Sequence, residues 1–196
     1  MKIDIYSDVV CPWCFIGKRH LETALTKCTS QAHDIVFEIN WIPFQLNPEM
    51  PANGMARSDY LELKFGGQKN ASRIYEQIRI SGQRANITFN FDRIKYQPNT
   101  LLAHLLVAFV EELSPRQDIV ETLFRAFFFD GQDLGHMDIL KQIGNLFGVN
   151  SMELENYMRD RKNQNTIIQH NSTAHEMGIR GVPLFILDDT ISISGA

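Results

Sequence analysis

Two cysteines held two residues apart, Cys11-Pro12-Trp13-Cys14, stand where one backbone pattern gives way to another. Before them, Ile3, Ile5 and Val9-Val10 surround short polar residues, a strand pattern that ends near Asp8. After them, Phe15 to about Lys27 carries Leu21, Ala24 and Leu25 at helical spacing, with no interior proline. The first cysteine is then expected to cap the helix, and the second to lie in its first turn. Pro12 suits the first helical position, where its missing N–H is harmless. Next, Ile35 to Ile42 is rich in β-branched and aromatic residues and meets Pro43, a second strand. The chain therefore opens as a strand–helix–strand unit.

This arrangement suits redox chemistry. One thiolate must attack a substrate disulfide, and a second thiol must be near enough to resolve the mixed disulfide. The unpaired N–H groups and partial positive charge of a helix N-terminus favour the thiolate form of the first. Cys11 is expected to be the exposed nucleophile and Cys14 the more buried resolving thiol. The competing reading is half of a zinc site, which needs two further ligands. No second Cys-x-x-Cys follows. His170 and His175 lie five residues apart, roughly 140° around a helix axis and poorly placed to chelate. No bound metal is expected. The third cysteine, Cys28, falls fourteen residues after Cys14, about 21 Å along a continuous helix and beyond disulfide reach. It continues the Leu21–Leu25 stripe and reads as a buried or half-buried packing residue.

Three cysteines in 196 residues do not make a disulfide scaffold. The first eight residues carry two acids and no apolar signal region, so the expected setting is the cytoplasm. A net charge of −4 offers no basic footprint for nucleic acid. No apolar run is long enough to span a bilayer.

From Ser58, read as an N-cap, to about Met177 the pattern is helical. Segments near 58–66, 69–81, 99–113, 116–129, 137–147, 151–161 and 163–177 alternate with short breakers. Asn99 reads as a further N-cap, and Asn86 to Phe91 as a short strand or extended loop. β character returns after Gly181-Val182-Pro183. Leu184–Leu187 and Thr190–Ser194 are expected to form a hairpin around the two-residue turn Asp188-Asp189. Pro183 opens a strand where it need not donate to a ladder, and its peptide bond is one of the few that tolerate a cis form. The expected class is α/β. Residues 1–45 and 178–196 form one unit, split by a helical insertion over 46–177.

Four stretches carry a family resemblance: Asp8–Glu22 (DVVCPWCFIGKRHLE), Pro98–His104 (PNTLLAH), Leu123–Leu140 (LFRAFFFDGQDLGHMDIL) and Gly178–Leu187 (GIRGVPLFIL). With them, the chain resembles the DsbA branch of the thioredoxin superfamily, and within it the FrnE-like cytoplasmic dithiol oxidoreductases. The resemblance implies a thioredoxin-like fold with a large all-helical insertion. Cys11 would attack and Cys14 resolve, with Pro12 and Trp13 tuning the redox potential. Val182-Pro183 would be a cis-proline loop packed against the dithiol and holding an extended substrate. Asn99 and His104 would lie on a helix facing the site. The resemblance also implies a further helix after Ser194-Gly195-Ala196, where this sequence stops.

The resemblance implies a thiol–disulfide oxidoreductase acting on a thiol- or disulfide-containing protein or small molecule. It implies no bound cofactor, with glutathione as a redox partner. Two other readings stay open. One is a glutathione-dependent isomerase or transferase of the kappa or 2-hydroxychromene-2-carboxylate type, whose members typically carry Ser at position 11 and lack the second cysteine. The other is a peptide- or metal-binding module using the same dithiol. Trp13, Phe15 and Phe44 are candidates for the apolar wall of a groove, with Phe44 and the Phe127–Phe129 run read first as core.

Overall fold

A computed structural model describes residues 1–31, 35–113 and 118–196. The central sheet has four strands in the order β2-β1-β5-β6. Strand β1 (Lys2–Ser7) pairs in parallel with β2 (Glu38–Pro43) and antiparallel with β5 (Leu184–Leu187), which pairs with β6 (Ile191–Ser194). The ends of the chain thus build one sheet, and the residues between them supply helices. Strand β1 buries every second side chain, as its sequence alternation requires. Ile3 and Ile5 pack with Phe185 against Leu21 and Leu25 of helix α1 (Pro12–Gln31). Pro43, expected just beyond the second strand, is instead the last residue of β2, tolerated because β2 is an edge strand.

The intervening chain forms α2 (Arg57–Phe65), α3 (Gln68–Arg84), α4 (Leu101–Leu113), α5 (Ile119–Phe128), α6 (Met137–Asn145), α7 (Ser151–Arg159) and α8 (Arg161–Glu176). The expected beginning of the 116–129 helix falls on residues 116 and 117, outside those described. A two-residue ladder joins β3 (Met55–Ala56) to β4 (Tyr96–Gln97). Residues 86–91 run as irregular chain into a short 3-10 turn, Phe91–Arg93. Several helices begin on side-chain caps. Asp118 accepts the Glu121 N–H, Asn150 those of Met152 and Glu153, and Asp160 that of Lys162. Among the described residues no helix is long and apolar enough to cross a membrane.

The largest core is continuous from the dithiol segment into the helices. Phe15, wholly buried, stacks on Phe124 with ring centres 4.9 Å apart and also meets Phe89, Phe128 and Phe129. Phe127 and Phe128 are core residues, and Phe129 is half-buried. Phe44 is core too, but in a separate cluster with Ala174 and Ile179. Phe15 and Phe44 therefore do not form one groove wall.

Four local expectations change. Cys28 is exposed, not packed. Helix α1 has twenty residues, about 30 Å, while six-residue strands such as β1 cover only about 20 Å. The last turns of α1 overhang the sheet, and residues 26–30 face solvent. Ser58 is not a cap but the second residue of α2, and its hydroxyl donates to Asp59. Ala56 holds the N-cap position with no side-chain bond to the first turn, and the Arg57 N–H, the first of the helix, donates to the Lys95 carbonyl at 2.8 Å, alongside the β3–β4 ladder. The β5–β6 connection takes Thr190 as well as Asp188 and Asp189. Both aspartates lie at positive φ, and the Thr190 N–H donates to the Leu187 carbonyl at 3.0 Å. Finally, β2 begins at Glu38 rather than near Ile35.

Phe15→Ala removes a fully buried ring from the junction of sheet and helices. It is expected to lower the unfolding free energy by about 3–5 kcal/mol in urea titration.

Candidate active site

Cys11 immediately precedes α1. Its own N–H donates to the Asp8 carbonyl at 2.9 Å, and its carbonyl accepts the N–H groups of Cys14 and Phe15. It is thus the N-cap that the sequence predicts, with Pro12 at the first helical position and half-buried. Trp13, also half-buried, packs against the main core. Cys11 itself is only 4% exposed, which corrects the expectation of an open nucleophile. The reason is the loop before β5: the Cys11 thiol donates to the Val182 carbonyl, Sγ to oxygen 3.6 Å. The Val182–Pro183 peptide bond is cis. Pro183 sits over Gly17, where an added Cβ would lie 3.0 Å from Pro183 Cγ and 3.1 Å from Phe185 Cζ. A glycine one turn past the dithiol lets the proline loop come this close.

Cys14 lies beneath, 1% exposed. Burial pushes its thiol well above the ordinary cysteine range, and the neighbouring Cys11 sulfur adds to this. The Ser7 hydroxyl and the backbone at Asp8 pull the other way, favouring the thiolate. Both thiols are free.

A buried polar cluster adjoins Cys14. Asp8, 1% exposed, accepts the Leu46 N–H on Oδ2 at 2.8 Å. Its Oδ1 faces His104 Nε2 of α4 at 3.5 Å. Ser7 Oγ, Asp8 Oδ1 and His104 Nε2 are buried without a hydrogen-bond partner among the described residues. His104, expected to face the site, thus stands behind the dithiol. Asn99 is occupied as a tie. Its Oδ1 accepts from the Leu101 N–H and from Gln45 Nε2, and its Nδ2 donates to the Met50 carbonyl at 2.7 Å. It caps α4 and anchors the loop after β2. Ser7, Asp8 and Gly17 were not singled out as site residues. The signal available was an acid at the end of a buried strand, three residues before the first cysteine.

A cavity of about 480 Å³ reaches this cluster from the β2 side of β1, away from Val182. Ser7 and His104 line it together with Trp41, Ile167 and Glu111. Glu111 is half-buried, and burial raises its carboxyl to about 7. Elsewhere, Glu22, Asp118 and Glu121 converge, but around cations: Lys18 lies 2.6 Å from Asp118 and 3.2 Å from Glu121, and Arg19 lies 2.8 Å from Glu22. With Arg125 3.9 Å from Glu121, three cations face the three carboxylates, and the cluster is not read as a metal site.

Because Glu111 holds its proton more tightly folded than unfolded, its contribution to stability is full below the unfolded value. It is lost as pH rises through about 7. Glu111→Gln is expected to leave the melting temperature unchanged near about pH 4 and to raise it relative to wild type at about pH 8, as read by thermal denaturation.

The chain is similar to the uncharacterized protein YwbO of Bacillus subtilis (strain 168), 28% identical over 199 residues, covering 100% of this chain and 90% of that protein. Its structure resembles that of a probable DsbA oxidoreductase from Streptomyces coelicolor, with TM-score 0.86, 22% identity, and coverage of 100% of this chain and 83% of that one. It also resembles the cytosolic disulfide reductase DsbM from Pseudomonas aeruginosa with GSH, at TM-score 0.64 and 15% identity, covering 99% and 90%. At these identities the two structures establish the fold. The family model for the DSBA-like thioredoxin domain matches residues 2–196. The chain therefore belongs to the DSBA-like thioredoxin domain family.

Proposed function

We propose that the protein is a cytoplasmic thiol–disulfide oxidoreductase working through Cys11 and Cys14. Residues 1–45 and 178–196 are its redox unit, and 46–177 the insertion that shapes the approach to it. The observation that carries this reading is the stacking of the two thiols at one helix terminus. Cys11 is the cap, under the Val182 carbonyl at 3.6 Å, and Cys14 is sealed beneath it.

In the reducing direction the Cys11 thiolate attacks one sulfur of a substrate disulfide. That S–S bond breaks, one substrate thiolate leaves, and a mixed disulfide forms at Cys11. Cys14, deprotonated, then attacks Cys11 Sγ and expels the second substrate thiolate. The protein dithiol is oxidised by the two electrons that the substrate gains. An extended substrate segment would pair with the backbone at Val182, displacing the thiol–carbonyl contact and keeping the sulfurs in line. Pro12 and Trp13, flanked by the cysteines, set the surroundings of the Cys11 sulfur and so its potential. Glutathione is the small thiol we propose as redox partner, and DsbM, of the same fold, has been solved with GSH. No cofactor is required. The isomerase or transferase reading assigns no work to a buried second thiol in contact with the first, and this chain has one.

Cys11→Ser is expected to reduce insulin disulfides at the uncatalysed rate. Cys14→Ser is expected to accumulate a glutathione mixed disulfide at Cys11, visible by intact mass. Full activity in Cys11→Ser overturns the proposal. So does one zinc per chain in protein purified without chelator.

A further inference from the structure

Cys14 must lose a proton before it can attack, and nothing in the dithiol itself accepts it. The thiol is sealed from solvent, and its burial favours the protonated form. In the mixed disulfide the substrate covers the Cys11 side. The proton must therefore leave inward.

Three unpartnered buried polar atoms lie on that inner side: Ser7 Oγ, Asp8 Oδ1 and His104 Nε2. Buried polar atoms are nearly always paired, and leaving them unpaired is costly. Their grouping is ordered. The Leu46 N–H pins one Asp8 oxygen at 2.8 Å, so the other is held facing His104 Nε2 at 3.5 Å. The Ser7 hydroxyl stands where it favours the Cys14 thiolate. Ser7 and His104 both line the cavity of about 480 Å³. Its walls are more apolar than polar, but the polar atoms of Ser7 and His104 offer partners to water in a cavity of that size. Its wall follows one face of α4 outward, with His104, Ala108 and Glu111 on successive turns. Exposed Glu112, Lys162 and His170 stand at its mouth.

We propose that this cavity carries the proton of Cys14 to solvent, with the His104 imidazole as its acceptor and the Asp8 carboxylate facing the N–H that forms. The inference rests on the dithiol reading above. In the resolving step the Cys14 S–H bond breaks, and the proton passes by the Ser7 hydroxyl and the water of the cavity to His104 Nε2. The Cys14 thiolate forms a bond to Cys11 Sγ, and the bond from Cys11 to the substrate sulfur breaks, releasing a thiolate. His104, now an imidazolium facing the Asp8 carboxylate, passes its proton to the cavity. The groups that bias His104 are Asp8 from the turn before α1, Glu111 on its own helix, Tyr157 of α7, and Lys162 and His170 of α8. Glu111, whose carboxyl titrates at about 7, sets the charge of the exit near neutrality. His104 is a positioning and proton-accepting residue, not one that touches the substrate.

Ellman's aryl disulfide separates the two steps, because Cys11 attack releases one aryl thiolate and Cys14 resolution a second. The reduced protein is used on a Cys28→Ser background, which removes the exposed third thiol. His104→Gln is expected to leave the first release within about twofold and to slow the second at least about tenfold near neutral pH, the scale of lost general-base assistance. The second release should then climb with pH instead of levelling off. Added imidazole should restore it in His104→Ala by entering the cavity. Glu111→Gln, at a half-buried position, should fold normally and lose the inflection at about pH 7 in the second release. A second release with wild-type rate and pH profile in His104→Gln overturns the inference. Should the His104 variants not fold, an unchanged profile in Glu111→Gln overturns it. If the Cys28→Ser background gives no second release, the dithiol reading itself has failed.

Discussion

The stack of Phe15 on Phe124 is the contact on which the rest of the molecule turns. Phe15 directly follows Cys14, so burying its ring among Phe89, Phe124 and Phe128 fixes the first turn of α1 in the helical core. The other face of the same helix lies on the sheet through Leu21 and Leu25. A helix gripped from both sides cannot slide, and its N-terminus, where the dithiol sits, is held against the end of β1. Gly17 completes the arrangement. With no side chain there, the Pro183 ring settles on the helix and brings the Val182 carbonyl over Cys11. Apolar packing thus sets the position of both sulfurs.

Polar contacts then fix the loops around them. Asp8 holds Leu46, Asn99 holds Gln45 and Met50, and Asn171 accepts the Gln45 N–H at 2.8 Å. These bonds join the end of β1, the chain after β2, and the starts and faces of α4 and α8. Each crosses many residues of sequence, and each satisfies a backbone or amide group that burial would otherwise leave costly. The cluster of Ser7, Asp8 Oδ1 and His104 departs from that thrift, with Ser7 and His104 on the wall of a cavity.

Local patterns were legible wherever a residue's role depends on its immediate neighbours. Strand β1 follows its alternation, most of the helices follow their periodicity, and Cys11 caps α1 because Pro12 and the apolar residues after it leave no better start. Helical spacing says which face Cys28 shares with Leu25, but not where the sheet beneath ends, and so not that Cys28 is exposed. Helix α2 starts two residues before the position a Ser58 cap would give, because the β3–β4 ladder, formed by residues forty apart, ends at Ala56 and the helix begins directly after it. Asn99 could be read as a cap, but its hold on Met50 could not.

By itself the sequence determined the Cys-x-x-Cys pair, its place at a strand–helix junction, the helical middle and the returning hairpin, since all of these are periods and spacings along the chain. The tertiary structure alone decided that Cys11 would be as closed off as it is, 4% exposed with its thiol on the Val182 carbonyl, and that Asp8 and His104 would face each other at 3.5 Å. Those outcomes join positions roughly one hundred and more residues apart. They depend on how far each element extends and what lies across from it, which no local pattern encodes.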